Sequence, residues 1–277
     1  MLNANHSHEV VLENGVTLPL VGLGVYKIEE DTMHNALKAA LEAGYRCFDT
    51  AQLYQNEDAL GKELKNIGIA REEVFITSKV ANSNQGYAST MESFDESLRK
   101  LQTDYLDMFM VHWAGQNQER YLATWRALED LYLSGKVRVI GVCNFTIGQL
   151  EILLQHARIK PMVNQIERNP LWNEKELIAF CKQHHIQIQA WAPLSRGNFY
   201  QPSIVEIAKK YKKTPAQILL RWNVQDAICV IPKSTHRERI FENIDIFDFI
   251  LEPEDMEVLS NMHAGKRTSH DPETHDF

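Results

Sequence analysis

Short apolar runs alternate with longer segments of helical periodicity along most of this chain. The runs are rich in β-branched and aromatic residues and predict eight strands. These strands span residues 20–23, 47–49, 74–79, 106–112, 137–142, 162–166, 188–191 and 229–231. Because they lack the polar alternation of a half-exposed strand, they are typical of a parallel sheet that is covered on both faces.

Helices are predicted between nearly all of these strands, from capping residues and from apolar positions three and four apart. They cover residues 31–43, 56–68, 86–101, 120–134, 147–156, 174–184 and 202–211, and another begins at Thr214-Pro215. Before the first strand, two apolar runs flank Asn14-Gly15, which is a type I′ turn signal and predicts a β-hairpin.

This order of elements predicts an α/β fold, a (β/α)8 TIM barrel with an N-terminal β-hairpin cap and a short C-terminal tail. We expect residues 1–277 to form a single domain. A doubly wound sheet is the alternative. It would usually show a domain break or a phosphate loop in the first turn, and neither is visible.

Composition narrows the function classes. The chain has 44% hydrophobic and 24% charged residues, close to the globular average, and its net charge of -8 is not gathered into a block. A nucleic-acid binder would show a basic stripe, and a membrane helix needs about 18 apolar residues. The N-terminus has no basic or apolar region of a signal peptide. We therefore expect a cytoplasmic enzyme with neither nucleic-acid nor membrane partners.

The four cysteines are interpreted as structural. Cys47, Cys143, Cys181 and Cys229 form no C-x-x-C pair, and three of them lie in apolar stretches. Reduced thiols packed in a core are the expected state in a cytosolic protein. A catalytic cysteine is the alternative, although no partner base is evident near any of them.

Polar residues follow several strands at the end where a barrel carries its chemistry. These residues are Asp49, Lys79, His112, Asn144, Gln165 and Lys233. Tyr54 lies in the loop after Asp49. A lysine beside a phenol would lower the tyrosine pKa, and a carboxylate would keep that lysine charged. The tyrosine could then donate a proton near neutral pH, with His112 orienting a carbonyl. A structural ion pair and a rim aromatic are the alternative interpretation.

A second cluster follows the last strand. Thr235-x-x-Glu238 predicts a capping box and a helix start, with Lys233 and Ser234 just before it. On that helix Arg239, Glu242 and Asn243 share one face. Cations and a hydroxyl at a helix N-terminus predict a phosphate site, and a solvated capped helix is the alternative.

The glycines near the N-terminus do not complete a dinucleotide-binding turn. Gly22-x-Gly24 is followed by Lys27 where the G-x-G-x-x-G fingerprint needs glycine. A nicotinamide cofactor would therefore not bind here through a Rossmann turn.

In combination these motifs resemble the aldo-keto reductase family. They are Gly22-Leu23-Gly24, Phe48-Asp49-Thr50-Ala51 with Tyr54, Ile76-Thr77-Ser78-Lys79, Gly141-Val142-Cys143-Asn144-Phe145, Asn164-Gln165-Ile166-Glu167 and Ile231-Pro232-Lys233-Ser234. The chain is most similar to the short prokaryotic branch of 2,5-diketo-D-gluconate and glyoxal/methylglyoxal reductases. The resemblance implies a metal-independent, NADPH-dependent oxidoreductase that reduces small or polar aldehydes and ketones, such as glyoxals and keto sugars, as a monomer.

The resemblance also implies roles for individual residues. Tyr54 would be the general acid, tuned by Lys79 and Asp49, with His112 orienting the carbonyl. The implied cofactor contacts are Asn144 and Gln165 at the nicotinamide amide, Trp191 stacked on its ring, Leu194 along the cofactor, Lys233, Ser234 and Arg239 at the 2′-phosphate, and Glu242 and Asn243 at the adenine. Tyr26 and Trp113 would line the substrate pocket.

Some positions depart from the family pattern. Trp191 stands where Tyr or Phe is commoner, and Cys143 replaces a usual Ser. Arg168-Asn169 replaces an aromatic-His pair. Ala81 replaces a common Trp, from which we expect a wider or differently shaped substrate pocket.

Two other functions are possible on a barrel of this kind. In a lyase or isomerase that forms a Schiff base through Lys79 or Lys233, the lysine would need a lowered pKa, and Asp49 opposes this for Lys79. A non-enzymatic relative would be favoured by loss of one of the four catalytic candidates, and none is lost.

Overall fold

The computed structural model describes residues 8–275. The expectation that the N-terminus is not a signal peptide concerns residues that lie mostly outside this range. The described chain begins with the predicted hairpin, β1 (Glu9–Val11) and β2 (Thr17–Pro19), which pair antiparallel. Gly15 takes the left-handed conformation in the turn, at φ 82°. The Asn14 side chain donates to the backbone oxygen of Arg138 at 2.9 Å. The hairpin is thereby fixed to the amino-terminal end of a barrel strand.

Eight strands form one parallel sheet in chain order. They are β3 (Leu23–Gly24), β4 (Cys47–Asp49), β5 (Phe75–Val80), β6 (Leu106–Val111), β7 (Val137–Cys143), β8 (Val163–Glu167), β9 (Gln187–Trp191) and β10 (Cys229–Val230). A parallel bridge between Val21 and Val230 joins the two ends of the sheet. The (β/α)8 fold predicted from the sequence is confirmed.

Ten α-helices lie within the described residues. They are α1 (Glu30–Ala43), α2 (Glu57–Ile67), α3 (Tyr87–Leu101), α4 (Gln118–Leu133), α5 (Ile147–His156), α6 (Lys175–Gln183), α7 (Pro202–Tyr211), α8 (Pro215–Gln225), α9 (Arg237–Ile244) and α10 (Pro253–Ser260). The predicted glycine ends of α1 and α2 are confirmed, because Gly44 and Gly68 have positive φ. Between residues 8 and 275, no helix is long and apolar enough to cross a membrane.

Two features of this arrangement differ from expectation. Helix α10 was not predicted, although it begins at a proline, Pro253. The predicted capping box at Thr235 does not form, because the residue that caps α9 is His236 and no side chain caps it. Instead the Ser234 hydroxyl accepts the His236 N–H at 3.1 Å, which closes a short turn just before the helix.

The core fills the barrel and the space beneath the helices. A smaller apolar cluster packs α7, α8 and α10 together around Trp222. Helices α2 and α3 approach closely at Gly61, where an added Cβ would lie 2.5 Å from the Leu101 backbone. All four cysteines are buried and unpaired, as the sequence predicted.

Candidate active site

A buried ion pair lies at the carboxyl ends of two adjacent strands. Asp49 ends β4, Lys79 lies near the end of β5, and Lys79 Nζ is 2.5 Å from Asp49 Oδ1. The same ammonium donates to the Thr50 carbonyl at 2.9 Å. Burial alone would disfavour the charged lysine, but the attraction of Asp49 and Tyr54 outweighs it and the pKa of Lys79 is raised. Lys79 is therefore a fixed positive charge at neutral pH.

Tyr54 ends the short helical turn that follows β4. Its hydroxyl lies 3.5 Å from Lys79 Nζ. Burial raises the pKa of the phenol above its usual value, Lys79 opposes this and Asp49 adds to it. The lysine acts in the predicted direction, but the expected net lowering of the pKa is wrong for the free protein, because desolvation dominates. The phenol is protonated at neutral pH, which is the form that donates a proton.

His112 follows β6 and brings an imidazole to the same place. Its ring centroid is 5.6 Å from that of Tyr54, edge to face. Burial and the nearby Lys79 charge hold its pKa well below the usual value, so the ring is neutral. Within residues 8–275 its buried Nδ1 has no hydrogen-bond partner. A neutral imidazole with an unused nitrogen can accept or donate one further hydrogen bond.

Gln165 joins the ion pair to the barrel interior. Its Nε2 donates to Asp49 Oδ2 at 2.7 Å and to Gln189 Oε1 at 2.8 Å, and its Oε1 accepts from Cys143 Sγ at 3.6 Å. Gln189 was missed by the sequence analysis. It is fully buried in β9 between Ile188 and Ala190, and a polar residue inside a predicted buried strand is a signal for such a position, although it does not reveal the partners.

Asn144 connects the ends of three strands. It follows β7 with a φ of 62°, a left-handed conformation that asparagine tolerates well. Its Nδ2 donates to the His112 carbonyl at 3.1 Å, and its Oδ1 accepts from Trp191 Nε1 at 2.8 Å. The structure therefore brings together the predicted catalytic residues and the residues predicted at the nicotinamide.

Aromatic side chains surround the mouth of this site. The Tyr26 ring is exposed and 4.9 Å from the Tyr54 ring. Trp113 follows His112 and is buried. Ala81 follows β5, is buried, and its backbone N–H donates to Gln52 Oε1 at 2.9 Å. These positions agree with a pocket wall, and the wider pocket expected from Ala81 stays a prediction.

The C-terminal tail, residues 262–275, crosses the same end of the barrel. The Thr268 N–H donates to Glu167 Oε1 at 2.7 Å, at the end of β8. Farther along, the Gln116 side chain donates to the Glu273 carbonyl at 2.7 Å. The His275 ring then lies 5.3 Å from Trp113, edge to face. The tail thus reaches from the end of β8 to the loop after β6.

The second predicted cluster lies past the end of β10. Lys233 and Arg239 are exposed, and within the described chain neither forms an ion pair. Ser234 and Asn243 are buried. Glu242 accepts the Thr214 hydroxyl at 2.6 Å, so one of its carboxylate oxygens is already engaged with the start of α8. Two unpaired cations beside a helix N-terminus suit a phosphate group.

The structure also shows the surroundings of Leu194 and Arg168, two positions singled out in the sequence. Leu194, expected along the cofactor, is half-buried against the hydrophobic core in the loop after β9. The buried Arg168 guanidinium stacks on Trp222 at 3.7 Å and donates to Asn223 and Asp226. Burial lowers its pKa to about 10, although Asp226 opposes this. Arg168 thus ties the end of β8 to α8.

Comparison with known proteins identifies relatives along nearly the whole chain. The model of the aldo/keto reductase family matches residues 20–263. Glyoxal reductase of Bacillus subtilis (strain 168) is 47% identical over 266 residues, 95% of this chain and 96% of that protein. Methylglyoxal reductase DkgA of Yersinia pestis is 42% identical over 267 residues, again 95% and 96%. A solved structure of a Gox0644 variant in complex with NADPH has a TM-score of 0.93 and 38% identity, covering 97% of this chain and 98% of that one.

Proposed function

Because this chain belongs to the aldo/keto reductase family, we propose that it uses NADPH to reduce small or polar aldehydes and ketones, such as glyoxals and keto sugars, to alcohols. The observation that carries the proposal is the Lys79 ammonium held between Asp49 Oδ1 and the Tyr54 hydroxyl. A monomeric, single-domain, cytoplasmic enzyme is part of the proposal. Four buried free thiols suit a reducing compartment.

Tyr54 is the proton donor in this proposal. When bound, NADPH supplies the hydride that reaches the carbonyl carbon. Tyr54 Oη gives its proton to the carbonyl oxygen, and the resulting phenolate is stabilised by the Lys79 ammonium beside it. Asp49 fixes the lysine in that position. Solvent then returns a proton to the phenolate.

His112 orients the substrate. Because its imidazole is neutral, it can donate one N–H to the carbonyl oxygen without competing as a strong acid. The ring lies edge to face with Tyr54, so both groups can approach one oxygen. Tyr26 and Trp113 would form the pocket walls around that carbonyl.

The proposed cofactor contacts use residues on both sides of the barrel mouth. At the nicotinamide end, the Asn144 amide accepts the Trp191 indole N–H, the Gln165 amide oxygen accepts the Cys143 thiol, and Leu194 lies in the loop after β9. At the phosphate end, Lys233 and Arg239 supply positive charge with Ser234 between the strand and α9. Glu242 and Asn243 would meet the adenine, with Glu242 using its remaining carboxylate oxygen.

A lysine-based lyase fits the geometry less well. Formation of a Schiff base needs a neutral amine, whereas the contacts of Lys79 raise its pKa. A reductase uses the same lysine as a permanent charge.

The test is an assay of NADPH oxidation with a panel of glyoxal, methylglyoxal, keto sugars and aromatic aldehydes. We expect carbonyl-dependent loss of reduced-nicotinamide absorbance, greatest with the small dicarbonyls. Tyr54→Phe should lower kcat by roughly 10²–10⁴-fold while leaving NADPH affinity unchanged. The matched control is Tyr87→Phe, which removes a surface hydroxyl bonded to Asp130 and should not change the rate. Absence of oxidation with every carbonyl would overturn the proposed function.

A further inference from the structure

A chain of hydrogen bonds runs from Trp191 to the backbone of His112. The indole Nε1–H donates to Asn144 Oδ1 at 2.8 Å, and Asn144 Nδ2 donates to the His112 carbonyl at 3.1 Å. Asn144 is 4% exposed, so bulk water does not compete for either bond. One side-chain amide thereby links the ends of β9, β7 and β6.

The chemistry of the two neighbours fixes how this amide is turned. An indole N–H can only donate, so the atom of Asn144 that faces Trp191 must be the oxygen. A carbonyl can only accept, so the atom that faces His112 must be the nitrogen. The reversed amide would place two donors together at Trp191 and two acceptors together at His112. Trp191 therefore fixes the oxygen end of the Asn144 amide, and the His112 carbonyl fixes its nitrogen end.

The hydrogen-bonding capacity left on the Gln165 and Asn144 amides determines what each can offer to a ligand. Gln165 Nε2 spends both of its hydrogens on Asp49 and Gln189, so towards a ligand Gln165 can only accept. Asn144 Oδ1 keeps a second lone pair after accepting from Trp191. Two side-chain oxygens can thus receive the N–H groups of a carboxamide.

We propose that Trp191 is a positioning residue, whose indole N–H holds the Asn144 amide so that Oδ1 faces the carboxamide N–H of the nicotinamide and Nδ2 stays on the His112 carbonyl. The inference rests on the proposed function. It explains why an indole occupies a position where the resemblance expects Tyr or Phe. A phenyl ring can stack on the nicotinamide, but it has no N–H to orient the asparagine.

The first test removes the N–H and keeps an aromatic ring. Trp191→Phe should raise the NADPH dissociation constant, measured by calorimetry, by about three- to tenfold, the net effect of one hydrogen bond. At saturating NADPH, kcat should also fall. Without the indole N–H the Asn144 amide is free to turn, and its bond to the His112 carbonyl then no longer holds His112 in place. Benzothienylalanine at position 191 replaces only the N–H by sulfur and should reproduce both changes. Unchanged affinity in both variants would overturn the inference.

The second test separates the hydrogen bond from ring stacking. Asn144→Gly removes the amide and tolerates the left-handed backbone at this position. In that background, Trp191 to benzothienylalanine should have no further effect on NADPH affinity. If its effect persisted in full, Trp191 would not act through Asn144 and the inference would be wrong.

A control and the unaltered enzyme complete the design. Trp125→Phe removes an indole bond of 3.0 Å to the Ile159 carbonyl, away from the site, and should leave NADPH affinity unchanged even if stability falls. A large loss of affinity in this control would show that the effect is general, which contradicts the proposal. If the unaltered enzyme failed to bind NADPH, the proposed function itself would be overturned. If it bound NADPH normally and the Trp191 variants bound it equally well, only the role of Trp191 would be overturned.

Discussion

His112 is a histidine whose surroundings favour the neutral ring. Burial and the Lys79 ammonium both oppose protonation, and they hold the pKa of His112 well below its usual value. A neutral ring suits a residue that shares a hydrogen bond with a carbonyl rather than one that delivers the proton. The same property makes folding sensitive to pH.

The pH dependence of stability follows from this shift. Above about pH 6.5, His112 is neutral in both the folded and unfolded states and contributes no slope. Below that pH the unfolded chain takes up a proton that the folded protein does not, so stability falls by up to about 1.4 kcal/mol per pH unit. We expect urea unfolding between pH 6.5 and 5 to give a shallower slope for His112→Gln. Parallel slopes would show that His112 does not carry the effect.

Part of the site could be predicted at the residue scale. Asp49, Lys79 and His112 each follow an apolar run, and strand ends converge at one rim of a barrel. The role of Gln189 could not be predicted, because it depends on which residues of β9 face the barrel interior and on the hydrogen-bond partners of Gln165. The balance of the Tyr54 pKa also depends on depth of burial, which no spacing of residues encodes.

At the scale of elements, the contact between α2 and α3 depends on one glycine. Gly61→Ala would place a methyl group 2.5 Å from the Leu101 backbone, so one of the two helices must move. We expect a loss of about 1–3 kcal/mol in the free energy of unfolding, measured with urea. Gly148→Ala on α5 meets nothing within 4 Å and should instead stabilise by about 0.5–1 kcal/mol. Equal effects of the two changes would contradict this account.

The order of elements was predictable because apolar runs alternate with segments of helical periodicity, several of which end at a glycine. The Asn14-Gly15 turn and the ends of α1 and α2 at Gly44 and Gly68 are local features that tertiary contacts do not override. The start of α9 differs because Ser234 competes with Thr235 for the backbone. Helix α10 has a proline start but a single buried position, Leu259, so its periodicity is weak.

At the scale of the whole molecule, the tail joins parts of the rim that are distant in sequence. The Thr268 N–H is held at the end of β8 by Glu167, and Arg267 forms an ion pair of 3.0 Å with Glu174 at the start of α6. The end of the tail reaches Trp113, which we place in the substrate pocket. The segment after Thr268 therefore borders the mouth without forming part of the barrel.

Removing residues 269–277 tests that placement. Because the contacts of Arg267 and Thr268 remain, we expect the melting temperature to change little. The KM for a small carbonyl should rise by roughly fivefold, an energetic loss of about 1 kcal/mol, with NADPH affinity unchanged. Gln116→Ala, which removes one bond to the tail, should give a smaller rise in the same direction. An unchanged KM in both variants would place the tail outside the substrate pocket.

The burial of the four cysteines affects how readily the protein itself reacts with electrophiles. A thiol attacks electrophiles as its thiolate, and burial raises the pKa of all four thiols, with Asp49 adding to the effect at Cys47 and Cys143. Cys143 even lies beside the proposed reaction centre, where its sulfur is 3.6 Å from Gln165 Oε1. The four thiols therefore stay protonated at neutral pH, and a carbonyl compound that enters the proposed site meets no thiolate there.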